Sequence, residues 1–363
     1  MEFGSFFGQL KALPESWERL SESGKPVCIY GTGDACERIL SQFELRGISC
    51  AGIFASDDFL RDGREFHGFE VTILSALEER FKDITVCCAF GSQLPDVMAQ
   101  IEGIAARHEL IFPDLPVAGE ELFSRRGLVE RQNDLARVYD MLADDLSREV
   151  LRGVLGFKLT GDIGMLRSVF SDPAKDAAAL IAPKRGDCYA DLGAYNGDTV
   201  ASFAGMCPDH GQIVAFEPDV RSFRKCVARH IGRENITFVN ACAWCSDGNI
   251  GFSQSAGRQS QITGGGRLTA ARRLDTVLAG KRCDIIKLDV EGAEREALIG
   301  AAETIKRYSP RMIVSAYHRP YDLIDLSLQL SGMGDYDLYI RQPPYYPAWD
   351  TCIYAVPKIT KEK

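Results

Sequence analysis

The sequence predicts an α/β protein built on two Rossmann-like sheets, and three observations carry that expectation. Short apolar runs alternate with amphipathic segments along most of the chain, the pattern of strands exchanged with helices in a parallel sheet. Two strand-to-helix turns carry glycines, Gly31-Thr-Gly33 and the stretch Gly193 to Gly197. The last two apolar runs are joined by a proline-rich loop with no helix, which finishes a parallel sheet with an antiparallel hairpin. At 363 residues the chain exceeds one average domain. The expected division is a smaller N-terminal Rossmann-like domain over 1–119, a helical connector over 120–180 and a second α/β domain over 181–363.

In the first region Val27-Cys-Ile-Tyr30, Ile48 to Phe54 and Ile84 to Phe90 read as strands, with a helix from Ala35 to Leu45. In the connector Leu135, Val138, Tyr139, Leu142 and Leu146 recur at helical spacing with charges between them, as expected of helices that pack the two domains together. In the last region seven strands are expected, at Cys188–Ala190, Ile213–Phe216, Ile236–Val239, Ile285–Leu288, Met312–Ser315, Asp337–Ile340 and Cys352–Ala355. Helical segments separate the first five. No repeat of solenoid period is present.

Composition narrows the function classes. Apolar residues make up 45% and charged residues 26%, ordinary for a globular chain. The net charge of −9 argues against bulk nucleic acid and anionic membrane as partners. The N-terminus lacks a basic segment followed by an apolar core, and no apolar run has transmembrane length. A soluble, cytoplasmic protein without membrane insertion is expected, with a homo-oligomer left open. The 12 cysteines lie mostly in apolar runs, where a thiol behaves as a small hydrophobe. Cys242-Ala-Trp-Cys245 has CxxC form, but no second ligand pair follows at zinc spacing. It is read as a strand end, and no metal is expected.

The strongest chemical signal is Asp191-Leu-Gly-Ala-Tyr-Asn-Gly-Asp198, after a strand and before a helix. Gly193 and Gly197 permit a tight turn and close backbone approach to a ligand. Free N–H groups at the helix start suit a carboxylate, and Asp191 and Asp198 add negative charge. Together with Ala194, Tyr195 and Asn196, this loop suits a ligand bearing an amine, a carboxylate and a sulfonium better than a pyrophosphate, which two carboxylates repel. Glu217, followed by Pro218 at the end of the next strand, is placed to accept two ribose hydroxyls. Cys242, or its backbone, is the expected adenine contact one strand further on.

These residues resemble the FkbM family of S-adenosylmethionine-dependent methyltransferases. The resemblance covers about 138–356. It rests on the glycine loop, Ala215-Phe-Glu-Pro-Asp219, Arg273-Leu-Asp275, Ile286-Lys-Leu-Asp-Val-Glu-Gly-Ala-Glu294, Ser315-Ala-Tyr-His-Arg-Pro320 and Leu338-Tyr-Ile-Arg341. It implies a class I, Rossmann-like seven-stranded methyltransferase sheet, S-adenosyl-L-methionine as cofactor, and O-methyl transfer, often to a sugar or natural-product hydroxyl.

Methyl transfer to a hydroxyl needs alignment, exclusion of water and a proton acceptor. His318, one of five histidines, lies just past the fifth strand and is the expected general base. Asp289, at the end of the fourth strand, is expected to orient the acceptor or the cofactor amine. Glu291 and Glu294 are read as neighbours of the site or as acids in the first turn of the next helix. Lys287 lies inside an apolar strand and calls for an acidic partner. An ion held by Asp289, Glu291 and His318 is conceivable, but no compact ligand string marks one. Arg319, Arg341 and the loop Gln342 to Pro347 are candidate walls of the acceptor pocket, for a small molecule or glycan. Gly31-Thr-Gly33 is a weaker signal, because Cys36 replaces the third small residue of a dinucleotide fingerprint. It keeps two other readings open: a nicotinamide-dependent oxidoreductase, and a non-catalytic nucleotide- or nucleotide-sugar-binding protein. A fragment beginning near Asp144 is expected to retain cofactor binding, since every proposed contact lies downstream.

Overall fold

A computed structural model describes residues 2–56, 64–253, 261–262 and 267–358. The N-terminal sheet contains β1 (Val27–Tyr30), β2 (Cys50–Phe54), β3 (Glu65–Phe66), β4 (Phe69–Thr72), β5 (Thr85–Cys88) and β6 (Glu109–Ile111), in the order 3-4-2-1-5-6. All neighbours are parallel except β3 on β4. Its central strands are buried along their whole length, as apolar runs covered on both faces must be. The helix Asp34–Arg46 ends at Gly47, whose φ of 66° is the left-handed turn that stops a helix without a Cβ penalty.

The connector is helical, with helices at Arg125–Glu130, Gln132–Met141, Asp145–Thr160 and Ile163–Arg167. Asp144 caps the longest by accepting the Ser147 N–H at 2.7 Å.

The second sheet begins with β7 (Tyr189–Leu192), β8 (Ile213–Phe216) and β9 (Ile236–Val239). A small sheet that the sequence did not announce follows: β10 (Cys242–Ala243), β11 (Gly248–Ser253), β12 (Gln261–Ile262) and β13 (Arg267–Arg272). The main sheet resumes with β14 (Ile285–Leu288), β15 (Arg311–Ser315), β16 (Tyr336–Arg341) and β17 (Cys352–Pro357), giving the order 16-17-15-14-7-8-9. Six of the seven strands run in one direction, and β17 alone enters antiparallel, between β15 and β16. This is the expected seven-stranded sheet with its hairpin finish. The strand order reverses at β7, flanked by β8 and β14, and open sheets bind ligands at the carboxyl ends of strands at such a point.

One hydrophobic core runs through both sheets. It joins Phe6, Tyr30, Val86 and Phe112 to Leu192, Phe216, Leu288, Val314 and Tyr346. Tyr346, fully buried, donates its hydroxyl to Glu102 Oε1 at 2.9 Å and so ties the last hairpin to the N-terminal domain. Gly91 lies against Trp349, and a Cβ there would come within 2.6 Å of the indole. No described helix is long and apolar enough to cross a membrane.

Candidate active site

Asp191 ends β7, Glu217 follows β8, Asp289 follows β14 and His318 follows β15. Parallel pairing therefore brings all four to one edge of the sheet, two of them on each side of the reversal.

The glycine loop is held from three sides. Gly193 has φ of 94°, and a Cβ on it would lie 1.9 Å from the Asp289 carbonyl oxygen. Gly197, at φ of 81°, starts the helix Asp198–Met206, and a Cβ there would meet His230 Nε2 at 2.8 Å and Cys226 Sγ at 2.9 Å. Both glycines thus serve the tight turn that the sequence predicts and the protein's own packing as well. Between them Ala194 is buried, Tyr195 is exposed at φ of 46°, and Asn196 Oδ1 accepts the Asp198 N–H. Asp198 itself is exposed, and its carboxylate accepts the Thr199 N–H.

Glu217 is buried and grips this loop: Oε2 accepts the Tyr195 N–H at 2.8 Å, and Oε1 accepts the Asp219 N–H at 2.7 Å. Burial pushes its carboxyl up to about 7, against the pull of those two N–H groups. Asn240, which the sequence reading passed over, donates to the carbonyls of Glu217 and Pro218 and fixes the turn after the strand. Cys242 is buried close by; burial, aided by the Glu217 charge, pushes its thiol up to about 12.

Asp191 is fully buried. Its Oδ2 accepts the Thr199 hydroxyl, while Oδ1 has no hydrogen-bond partner. Lys287 Nζ stands 3.5 Å from that oxygen, 3.7 Å from Asp289 Oδ2 and 3.4 Å from the Gly193 carbonyl. The lysine that called for an acidic partner has two. They hold it protonated although burial opposes the charge.

Asp289 spans the site. Its Oδ2 faces Lys287 on the glycine-loop side, and its Oδ1 accepts the Tyr317 hydroxyl at 3.3 Å and lies 3.6 Å from His318 Nε2. Glu291 adopts φ of 56°, a left-handed conformation rare for a residue with a Cβ, and brings Oε2 to 3.4 Å from His318 Nε2. Glu294 is buried; Oε1 accepts the Val290 N–H and lies 3.0 Å from His318 Nδ1. It stands in the first turn of the helix Glu294–Gly300, as expected, and also closes the loop 289–293 from inside.

His318 has no exposed surface. Asp289 and Glu291, each a little over a quarter exposed, stand on its Nε2 side. Burial disfavours the charged ring, yet the surrounding carboxylates, Glu294 foremost, hold it well above the usual histidine range. The expected general base is thus a ring with no exposed surface, whereas the open side of the cluster carries the carboxylates of Asp289 and Glu291.

Glu291 and Tyr317 open onto a cleft of about 370 Å³ between the two domains. Its other walls include Asp34 and Phe90 from the N-terminal domain and Tyr345, Trp349 and Asp350 from the last hairpin. The tyrosine loop therefore lines the cleft as expected. Arg341 does not: it is buried between Asp144 at 2.6 Å and Asp176 at 3.2 Å and fastens β16 to the connector. Arg319 donates to the Gly292 carbonyl at 2.8 Å and supports the loop 289–293 from outside. In the N-terminal turn Phe90 packs against Gly31, and the helix opens with Asp34. Both features oppose a pyrophosphate there.

Residues 191–341 match the methyltransferase FkbM domain. No curated protein matches the chain. Among solved structures, the methyltransferase FkbM from Methylobacillus flagellatus KT aligns over 97% of this chain and 98% of its own, at 19% identity and a TM-score of 0.72. An rRNA methylase from Streptococcus thermophilus aligns over 52% of this chain and 98% of its own, at 13% identity and a TM-score of 0.36. Aeropyrum pernix fibrillarin, crystallised with S-adenosyl-L-methionine, aligns over 50% and 74%, at 16% identity and a TM-score of 0.34. The full-length match shows that both sheets of this fold occur together in another protein. The motifs and the order of the seven-stranded sheet agree with this match of residues 191–341 to the methyltransferase FkbM domain.

Proposed function

We propose that this chain transfers a methyl group from S-adenosyl-L-methionine to a hydroxyl of a sugar, glycan or small natural product held in the interdomain cleft. The observation that supports this reading is the position of Asp289, with one carboxylate oxygen toward Lys287 and the glycine loop and the other toward Tyr317 and the cleft. Methyl donor and acceptor then meet across one strand end.

The residues present fit the cofactor. Each Glu217 oxygen spends one acceptor site on a backbone N–H and keeps another, so the pair can receive two neighbouring ribose hydroxyls. Asp191 Oδ1, buried beside the loop with no hydrogen bond and only the Lys287 ammonium 3.5 Å away, keeps acceptor capacity for an ammonium. Cys242 lies on the Glu217 side, where the adenine belongs. S-adenosylmethionine, when bound, supplies an electrophilic methyl on a sulfonium. Glu291, on the cleft side of the cluster, takes the acceptor's proton. Burial raises its carboxyl, which suits a base working near neutrality. Asp289 orients the hydroxyl through Tyr317, and His318 fixes the two carboxylates. Tyr345 and Trp349 give an apolar wall that excludes water and stacks on a sugar face. The carboxylates Asp34 and Asp350 suit hydroxyl donors and disfavour an anionic acceptor.

Glu217→Gln weakens S-adenosylmethionine binding by about 1–3 kcal/mol, the loss of charge-assisted hydrogen bonds. With a carboxyl near 7, the native affinity falls as pH drops through that value, because the neutral acid surrenders an acceptor site. Calorimetry between about pH 8 and pH 6 reads both effects. Equal affinity at both ends, or in the variant, removes Glu217 from the ribose.

The acceptor reading is tested by methyl transfer from labelled cofactor to a panel of sugars and hydroxylated small molecules. Trp349→Ala is expected to raise the acceptor KM by about tenfold with cofactor affinity unchanged, the signature of lost ground-state binding. Transfer confined to amine or carbon acceptors, or an unchanged KM, contradicts the reading.

A further inference from the structure

We infer that His318 Nε2, Asp289 Oδ1 and Glu291 Oε2 form a binding site for one divalent cation of the first transition row, on the cleft side of the active-site loop.

The geometry around the imidazole separates an inner face from an open one. One ligand atom each from Asp289, Glu294 and His318 lies within 4.8 Å of the others. The two ring nitrogens point in diverging directions, however, so a single ion can use only one of them. On the Nδ1 side stands Glu294 at 3.0 Å, buried and already accepting backbone N–H groups from Val290 and Gly292. On the Nε2 side stand Asp289 Oδ1 at 3.6 Å and Glu291 Oε2 at 3.4 Å, both partly open. Ligands of a four-coordinate ion at about 2.1 Å lie roughly 3.4 Å apart, and those of an octahedral ion roughly 3 Å apart. The two carboxylate oxygens each lie near the first spacing from Nε2, and an ion between them would draw the carboxylates together.

An independent observation points into the same place. His318 has no exposed surface, and Nε2 makes no hydrogen bond despite the two carboxylates around it. A buried polar nitrogen without a partner is costly and calls for a missing one. Glu294, on the far side of the ring, holds the position of the outer carboxylate that orients a metal-bound histidine. Asp289 Oδ2 remains with Lys287, so the ion adds to the cluster without undoing the link to the glycine loop. One nitrogen and two carboxylate oxygens form a borderline donor set, suited to Mn²⁺ or Zn²⁺ more than to the all-oxygen preference of Mg²⁺. The remaining coordination positions face the cleft that Glu291 lines. Only the ion's use beside an acceptor hydroxyl rests on the proposed function; its binding does not.

The test is titration of the chelator-treated full-length protein with Mn²⁺ alone, followed by electron paramagnetic resonance, with S-adenosylmethionine binding measured on the same samples. One saturable Mn²⁺ per chain, displaced by Zn²⁺, is expected. Glu291→Gln and His318→Asn should each weaken it at least about tenfold, and Glu294→Gln by about 10–100-fold. Glu294 also holds the loop, so the partly exposed Glu291→Gln, checked by its cofactor affinity, is the deciding variant. No saturable Mn²⁺, or unchanged affinity in Glu291→Gln, overturns the site. Methyl transfer that continues in chelator while no Mn²⁺ binds would sink the ion and leave the hydroxyl reading standing. Mn²⁺ binding without any hydroxyl acceptor would do the reverse.

Discussion

Glu291→Gln is expected to bind S-adenosylmethionine as the native protein does and to lose about 10²–10⁴-fold in turnover. The side chain stands on the cleft side of His318 and touches none of the groups that hold the glycine loop. Its amide keeps the size and removes the basic oxygen. Asp289→Asn separates from it in one respect. That carboxylate is also a partner of Lys287, so its loss leaves the buried ammonium with Asp191 alone and disturbs the glycine loop. Asp289→Asn should therefore lower turnover and weaken the cofactor together, whereas Glu291→Gln lowers turnover only. Calorimetry and single-turnover methyl transfer on both variants check this. A Glu291→Gln protein with native turnover contradicts the proton-acceptor role.

A fragment that begins at Asp144 is expected not to fold. The sequence suggested the opposite, because every cofactor residue lies downstream. The structure shows what the fragment would lose. The Ala118 N–H donates to the His318 carbonyl at 2.8 Å. A Cβ on Gly292 would come within 2.5 Å of the Ala118 Cβ, so the loop 289–293 is moulded on the segment that leaves the N-terminal sheet. Tyr346 would lose Glu102, and Trp349 would lose its seat on Gly91. The part of the shared core that packs on the missing residues would face water, at about 25 cal/mol per Å² of apolar surface, against a net stability on the order of 10 kcal/mol. Thermal melting followed by circular dichroism should show no cooperative transition. A sharp transition with cofactor binding would restore the two-domain view.

The sheet was legible because each strand is a short apolar run and each helix between strands is amphipathic. Both periods survive in the sequence, and all seven strands of the second domain lie within a few residues of their expected bounds. The small sheet β10–β13 was not legible: its strands carry charges and glycines, as in Gly248–Ser253 and Arg267–Arg272, and show no clean alternation. In the site, the acids and glycines that end strands were visible from position alone. The role of His318 was not, because it depends on burial beneath Asp289 and Glu291, and burial at a loop is a tertiary property. The far wall of the cleft was not legible for the same reason: Gly31-Thr-Gly33 gave only a weak nucleotide-loop signal, whereas Gly33 and Asp34 stand as one wall facing Tyr317 and Trp349, residues some three hundred positions away in the chain.

The most direct measurement of the central claim is a crystal structure of the full chain with S-adenosylhomocysteine. The account expects the ribose on Glu217, the amino-acid end at the glycine loop beside Asp191, and the sulfur next to Asp289, facing the cleft walled by Glu291, Tyr317 and Trp349. A ligand seated in the Gly31-Thr-Gly33 turn, or a sulfur turned away from Asp289 and the cleft, would contradict it.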